Sequence, residues 1–236
     1  MSTDNYKITL EELSILQLSD SFFPTGMYAM SNGLEALFYS KKIKHANELR
    51  DIIKVYVEHQ IGPTDCAALG NSYEYAKRTD LQRVIEVDQI TFSMKLIREI
   101  RETSTRAGTQ LLKCLSYFIT DNELLNKYQQ AIKNRQASGI YPVALAIGSS
   151  ALNIPKHKAG LMMIYAFSVS MVGAALRLGM LQHFDGQRII HELKPNIIQT
   201  VNNNIDRPLK SMWQFAPGID IVQMAHERMP SKMFIT

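Results

Sequence analysis

Cysteine is scarce in this sequence: Cys66 and Cys114 are the only two in 236 residues. Two thiols exclude a disulfide scaffold and a cysteine-built zinc site, and they fit a reducing cytoplasm. Glycine and proline are thin as well. Twelve glycines and eight prolines fall below the roughly 12% that the pair averages, which argues against an all-β chain with its many turns. No charge of one sign dominates, with 26 Lys+Arg against 22 Asp+Glu and a formal net charge of +4. The densest basic run, Lys41, Lys42 and Lys44 beside His45, reads as a solvated helix end rather than a phosphate-binding stripe.

Several chemical signatures are also missing. The sequence has no GxxxxGK[ST], so a P-loop nucleotidase is excluded. It has no GxGxxG, HExxH or CxxC. His183 and His191 stand eight residues apart, a step that turns about 80° on a helix and keeps them from facing one metal. No Ser, Cys or Lys is set with a His as an activated nucleophile. The residues point to an interaction protein rather than an enzyme.

Long hydrophobic runs are few. Residues 1–13 are polar and acidic and carry no secretory signal. Residues 136–155 lack charge but are too polar for a lipid-facing span. Residues 159–176 reach the length of a spanning helix. Two serines, two glycines and four alanines dilute this run, and no aromatic belt flanks it. It reads as the buried central helix of a helical domain.

What is present is helical periodicity almost throughout. Thr9 and Glu12 form a capping box ahead of Leu10, Leu13, Ile15 and Leu16. Asn32 and Glu35 repeat that pattern before Leu34, Leu37 and Phe38. Leu49, Ile52, Ile53 and Tyr56 share one face, and Gly62-Pro63 should end their helix, with Thr64-Asp65 capping the next. Ile97, Ile100, Ser104, Ala107, Leu111, Cys114 and Phe118 make a seam of coiled-coil type, with Cys114 as a buried hydrophobe. Asp121 caps a helix to Lys133, Pro142 opens another, and Pro155 starts the apolar one. Pro195 should interrupt or kink the helix after it. The expectation is one all-α domain of about ten helices over 1–236, with 218–236 a short helix and mobile tail.

Four segments, in order, resemble the urease accessory protein UreF family. They are Leu16-Gln-Leu-Ser-Asp20 with Phe23-Pro-Thr-Gly26 and Ser31-Asn-Gly-Leu-Glu35; Thr105-Arg-Ala-Gly108 with Gln110-Leu-Leu112; Tyr141-Pro-Val143; and Ala174-Ala-Leu-Arg-Leu-Gly179 running into Asp185-Gly-Gln-Arg188. The chain end, from Asp220 to Arg228 and then Ser231-Lys-Met-Phe234, is similar to that family's terminal segment. Met27 stands where the family often has a second glycine, and Lys232 where it usually has arginine.

The resemblance implies an all-helical, typically dimeric, non-catalytic cytoplasmic protein with no cofactor of its own. It implies a UreD/UreH-like partner, a UreG-like GTPase and the urease apoenzyme as partners, with nickel and GTP handled by those proteins. The implied outcome is a carbamylated lysine and a nickel-loaded urease, and a gating role towards GTP hydrolysis by UreG is part of what the resemblance implies. No nucleic acid and no membrane are expected. A competing reading is an unrelated helical protein of a membrane surface or of nucleic acid, using the basic surplus and residues 159–176.

Candidate partner contacts fall in three places. Phe23, Pro24, Thr25, Gly26 and Tyr28 form either a plain helix connection or a rigid partner-facing loop. Asp185, Gln187 and Arg188 follow Arg177, with which Asp185 either pairs or, with its neighbours, docks a partner. His226, Glu227, Arg228, Lys232 and Phe234 lie on a tail expected to order on a partner and to be removable without loss of helicity or melting temperature.

Overall fold

The computed structural model describes residues 8–20 and 22–236, with the side chain of Tyr28 outside that description. Among the described residues the chain forms eleven α-helices and no strand. They are α1 (Leu10–Ser19), α2 (Leu34–Tyr39), α3 (Ala46–Tyr56), α4 (Ala67–Lys77), α5 (Leu81–Met94), α6 (Arg98–Leu115), α7 (Glu123–Lys133), α8 (Tyr141–Ala151), α9 (Lys156–Arg177), α10 (His183–Asn204) and α11 (Pro217–Glu227). The expected all-α domain is what forms, with helix ends close to their sequence signals. Thr9 and Glu12 close their capping box. Asn122 rather than Asp121 caps α7, and Pro142 and Pro155 sit at helix starts.

The most enclosed helix is α8, not α9. Every residue from Pro142 to Ser149 is buried, because α4, α5, α6, α7 and α9 all pack against it. Helix α9 is the hub on the other side, touching α1, α2, α3, α4, α8 and α10. It is long and apolar enough to cross a membrane, yet 67% of that stretch is buried inside the protein. Tyr165 and Val169 on its outer side remain about 40% exposed.

Two expected breaks come out differently. Gly62-Pro63 does not end a helix: residues Val57–Cys66 form a π-helical stretch joining α3 to α4. Pro63 has no N–H to offer the His59 carbonyl, and Phe215 N donates to that oxygen instead at 3.1 Å. Thr64 Oγ1 donates to Trp213 O at 2.8 Å, so the 213–215 loop satisfies what the proline leaves open. Gly62 gives room for α10, since an added Cβ would collide with Thr200 and Asn204. Helix α10 likewise runs unbroken through Pro195.

The α6 seam is real but rotated. Thr103, Ala107, Leu111 and Leu115 are buried, whereas Phe118 is exposed and Cys114 only half-buried. Gly108 decides the rotation: an added Cβ would strike the backbone of Gly139, Ile140 and Tyr141, so α6 turns its smallest residue to α8.

A buried carboxylate locks this region. Asp88 of α5 is fully enclosed and accepts N–H bonds from Ser138, Gly139 and Ile140 at 2.5, 3.0 and 3.0 Å. Tyr128 OH of α7 donates to it at 2.7 Å, and burial, first, with the Asp88 charge, holds that phenol well above its usual range. Asp88→Ala strands four donors and should destabilise the fold by about 3–5 kcal/mol. Asp88→Asn keeps the oxygen that serves Tyr128, Gly139 and Ile140 and should cost less, about 1–2 kcal/mol. Urea denaturation of both variants measures the difference, and equal losses would contradict it.

Candidate partner-binding face

The turn after α1 is built by short-range chemistry. Asp20 Oδ1 accepts Phe22 N at 2.7 Å, and Phe23 N donates to Asp20 O at 3.0 Å. Gly26 adopts φ +78°, a left-handed conformation that suits glycine. A 3-10 turn follows at Met27–Ala29. Ser170 Oγ of α9 donates to Met27 O at 2.9 Å and pins the turn to the hub helix. Pro24 and Gly26 are exposed, Phe23 and Thr25 half-buried. Tyr28, the fifth candidate here, has its side chain outside the described residues.

Beside this turn lies an open groove of about 630 Å³, lined by Leu18, Phe23, Met27, Tyr141, Tyr165 and Val169 among others. Helix α1 forms one wall and turns most of its leucines outward. Leu10, Leu13 and Leu16 are 83%, 57% and 66% exposed, and Phe22 93%. Contiguous apolar surface of this kind marks interaction sites on soluble chains.

The second turn does not form the expected Asn32–Glu35 capping box. Gly33, at φ +88°, is the N-cap of α2 and has no side-chain cap. An added Cβ there would lie 2.9 Å from Val222 of α11. Glu35 points inward and is 1% exposed. Its carboxylate accepts Met233 N at 2.7 Å and Phe234 N at 3.2 Å, and faces His226 Nε2 at 3.1 Å. His226 Nδ1 lies 2.8 Å from Glu99 of α6, and Lys232 Nζ donates to the same carboxylate at 2.8 Å.

The C-terminal segment is therefore not a mobile tail. After α11 it forms a strap across the molecule. Ile235 N donates to Ala29 O at 2.9 Å and Ser31 N to Thr236 O at 2.6 Å. Phe234 is buried with the Arg177 guanidinium 4.4 Å above its ring. The methionine-rich composition suggested an uncovered end because the groups that hold it, Glu35 and Glu99, lie more than 120 residues away.

The candidates thus divide. Phe23 to Gly26 belongs to the turn that leads into Ala29 and Ser31, where the strap docks, so the first and third groups meet. Within the third group, His226 and Phe234 are buried as internal anchors. Glu227 takes Arg98 at 3.1 Å, Lys232 takes Glu99, and Arg228 is exposed. Asp185 does not serve Arg177; it pairs with Arg188 of its own helix at 2.9 Å. Gln187 is exposed on the same turn. Sequence reasoning gave Glu35 a capping role and passed over Glu99 and Arg177 as contacts of the tail. An acidic residue one place after a glycine and a leucine, inside an apolar stretch, was the available signal for Glu35.

A second feature lies at the hub. A cavity of about 80 Å³ is lined by Met30, Ile61, Asp65, Lys95, Thr103 and Phe167 among others. Lys95 Nζ pairs with Asp65 Oδ1 at 2.7 Å, both side chains under 10% exposed. Asp65 Oδ2 and Thr103 Oγ1 have no protein partner, which suits ordered water. Cys66 next to this pair is an inert thiol, pushed up to about 12 by burial first and then by the Asp65 charge.

Comparison with known proteins agrees with the architecture. The UreF family model matches residues 43–194. A urease accessory protein UreF of Trichodesmium erythraeum (strain IMS101) is 32% identical over 224 residues, covering 95% of this chain and 96% of that protein. This chain belongs to the UreF family. UreF proteins of Bacillus sp. (strain TB-90) and Actinobacillus pleuropneumoniae serotype 5b are 29% and 27% identical, again over at least 94% of each chain. The segments at 16–35 and 220–234 meet at Ala29, Ser31 and Glu35, where the strap docks.

Removing residues 224–236 takes away His226, Lys232 and Phe234 and leaves the Glu35 carboxylate buried without its donors. The loss should be about 3–5 kcal/mol, lowering the melting temperature by roughly 10 °C in a chain of this size. Phe234→Ala alone should cost about 3 kcal/mol. A truncated chain that melts with the intact one would show the strap to be undocked in solution.

Proposed function

We propose that this protein is a urease-maturation adaptor. It joins a UreD/UreH-like protein and a UreG-like GTPase to the urease apoenzyme, supporting lysine carbamylation and nickel insertion while its partners handle nickel and GTP. The observation that carries the reading is the match, over 95% of the chain, to proteins named urease accessory protein UreF.

Physical features support it. The exposed leucines of α1 and Phe22 lie beside a groove under Tyr165 that the Pro24-Thr25-Gly26 turn rims. Rigid aromatic and leucine anchors of this kind carry binding energy when a partner buries them. Self-association through this face into a homodimer is part of the proposal, as is a cytoplasmic location and the absence of a catalytic site of its own. Half-buried Asp185 with exposed Gln187 and Arg188, at the start of α10, is proposed as a separate polar contact. A membrane-surface role is disfavoured because the candidate span is mostly internal.

Two measurements test this. In cells carrying a urease operon without its UreF gene, supplying this chain should restore urease activity, and the tagged chain should co-purify with the UreD/UreH-like protein. The double substitution Leu13→Glu and Leu16→Glu should leave the melting temperature within a few degrees, because both side chains are already exposed. It should lower self-association, read by light scattering, at least tenfold, a change of about 1.4 kcal/mol. Full complementation failure with a folded protein would refute the adaptor reading. An unchanged dimer would remove the α1 face from it.

A further inference from the structure

His226 has a carboxylate oxygen on each ring nitrogen, Glu99 at 2.8 Å on Nδ1 and Glu35 at 3.1 Å on Nε2. The ring is fully buried. A neutral imidazole donates from one nitrogen only and would aim the lone pair of the other at a carboxylate oxygen. Neither carboxylate is free to supply the missing proton cheaply. Glu35 already accepts two backbone N–H bonds, from Met233 and Phe234. Glu99 accepts the Lys232 ammonium. The geometry calls for a ring that donates twice, which is the imidazolium.

The charges around the ring are accounted for on each element. Glu35 is on α2, Glu99 and Arg98 on α6, Glu227 beside the ring on α11, Lys232 on the strap and Arg177 on α9. Arg98 is engaged by Glu227, Lys232 by Glu99, and Arg177 lies over Phe234. In the ion-pair geometry, the cation facing Glu35 is the His226 ring.

We propose that His226 is a proton-operated latch for the C-terminal strap. The docked strap holds an imidazolium between Glu35 and Glu99. Loss of that proton sets a lone pair against Glu99 or Glu35, so the set of bonds that holds α11 and the strap loses one member and gains a repulsion. The sign follows from proton counting. An exposed imidazole is neutral above about pH 6.5, so above that pH docking takes up a proton and undocking releases one. Rising pH therefore opens the strap, and falling pH closes it. Because Ile235 and Thr236 bond to Ala29 and Ser31, opening also frees the turn beside the exposed apolar groove.

Hydrogen exchange on the full chain tests the latch from about pH 6 to about pH 9, with rates corrected for intrinsic exchange. The amides of Met233, Phe234 and Ile235 report docking, and those of Gly139 and Ile140, held by Asp88, report the global fold. Above about pH 6.5, where the exposed imidazole is neutral, protection of the first set should fall by about tenfold per pH unit, the dependence of releasing one proton, while the second set holds. Constant protection at 233–235, or parallel loss at 139–140, overturns the proposal. His226→Gln offers a single donor and should show weak, pH-independent protection of the strap. If that variant does not fold, nitrogen NMR of the His226 ring in the wild-type chain decides. Both nitrogens protonated in the docked state is the expected result, and one protonated nitrogen refutes the latch.

Discussion

A carboxylate removed from water must find donors inside the protein, and three such groups organise this fold. Asp88, Glu35 and Asp65 are each at least 95% buried. Desolvating an unpaired carboxylate costs several kcal/mol, so each one dictates which distant segment has to arrive beside it. Asp88 summons the N–H groups of the 138–140 turn, which fixes the entry of α8. Glu35 summons α11 and the strap. Asp65 summons Lys95 from the end of α5. The hydrophobic effect collapses the helices, but apolar contacts are forgiving about register. The carboxylates are not, because their donors must come within hydrogen-bonding distance.

The same requirement links fold to function. The Glu35 network joins residues from α2, α6, α11 and the strap, and the strap runs along the turn that borders the exposed apolar groove. A surface that binds partners benefits from being held rigid before binding, since less ordering entropy is lost on association. Here the rigidity comes from buried polar bonds rather than from extra core. That choice is reversible in a way a packed leucine is not, because protons can be added to or removed from a histidine.

Much of the helical architecture was legible in residue order. Thr9 with Glu12, Pro142 and Pro155 each marked a helix start through local backbone chemistry, and these hold. Leu49, Ile53 and Tyr56 marked a buried face by spacing alone. The reading failed where a local signal was answered from elsewhere. Pro63 breaks an α-helix in isolation, but Phe215 supplies the N–H that the proline lacks. Asn32 and Glu35 match a capping box, yet Glu35 has better partners in the tail than in its own backbone. Met224, Met229 and Met233 looked like an uncovered end, because composition does not register that Phe234 has a pocket under Arg177.

The sequence by itself therefore determined that this chain is helical, where most helices begin, and which motifs place it among UreF proteins. Those properties depend on neighbours within a turn or two of helix, or on a pattern of residues along the chain. Tertiary contacts alone made α8 more enclosed than α9, turned Gly108 of α6 inward and docked the chain end as a strap. Those outcomes rest on contacts between residues far apart in the chain, such as Phe234 N on Glu35, 199 positions away. A hydrogen bond of that kind leaves no periodic trace in the sequence, since its strength depends on burial that neither partner creates alone.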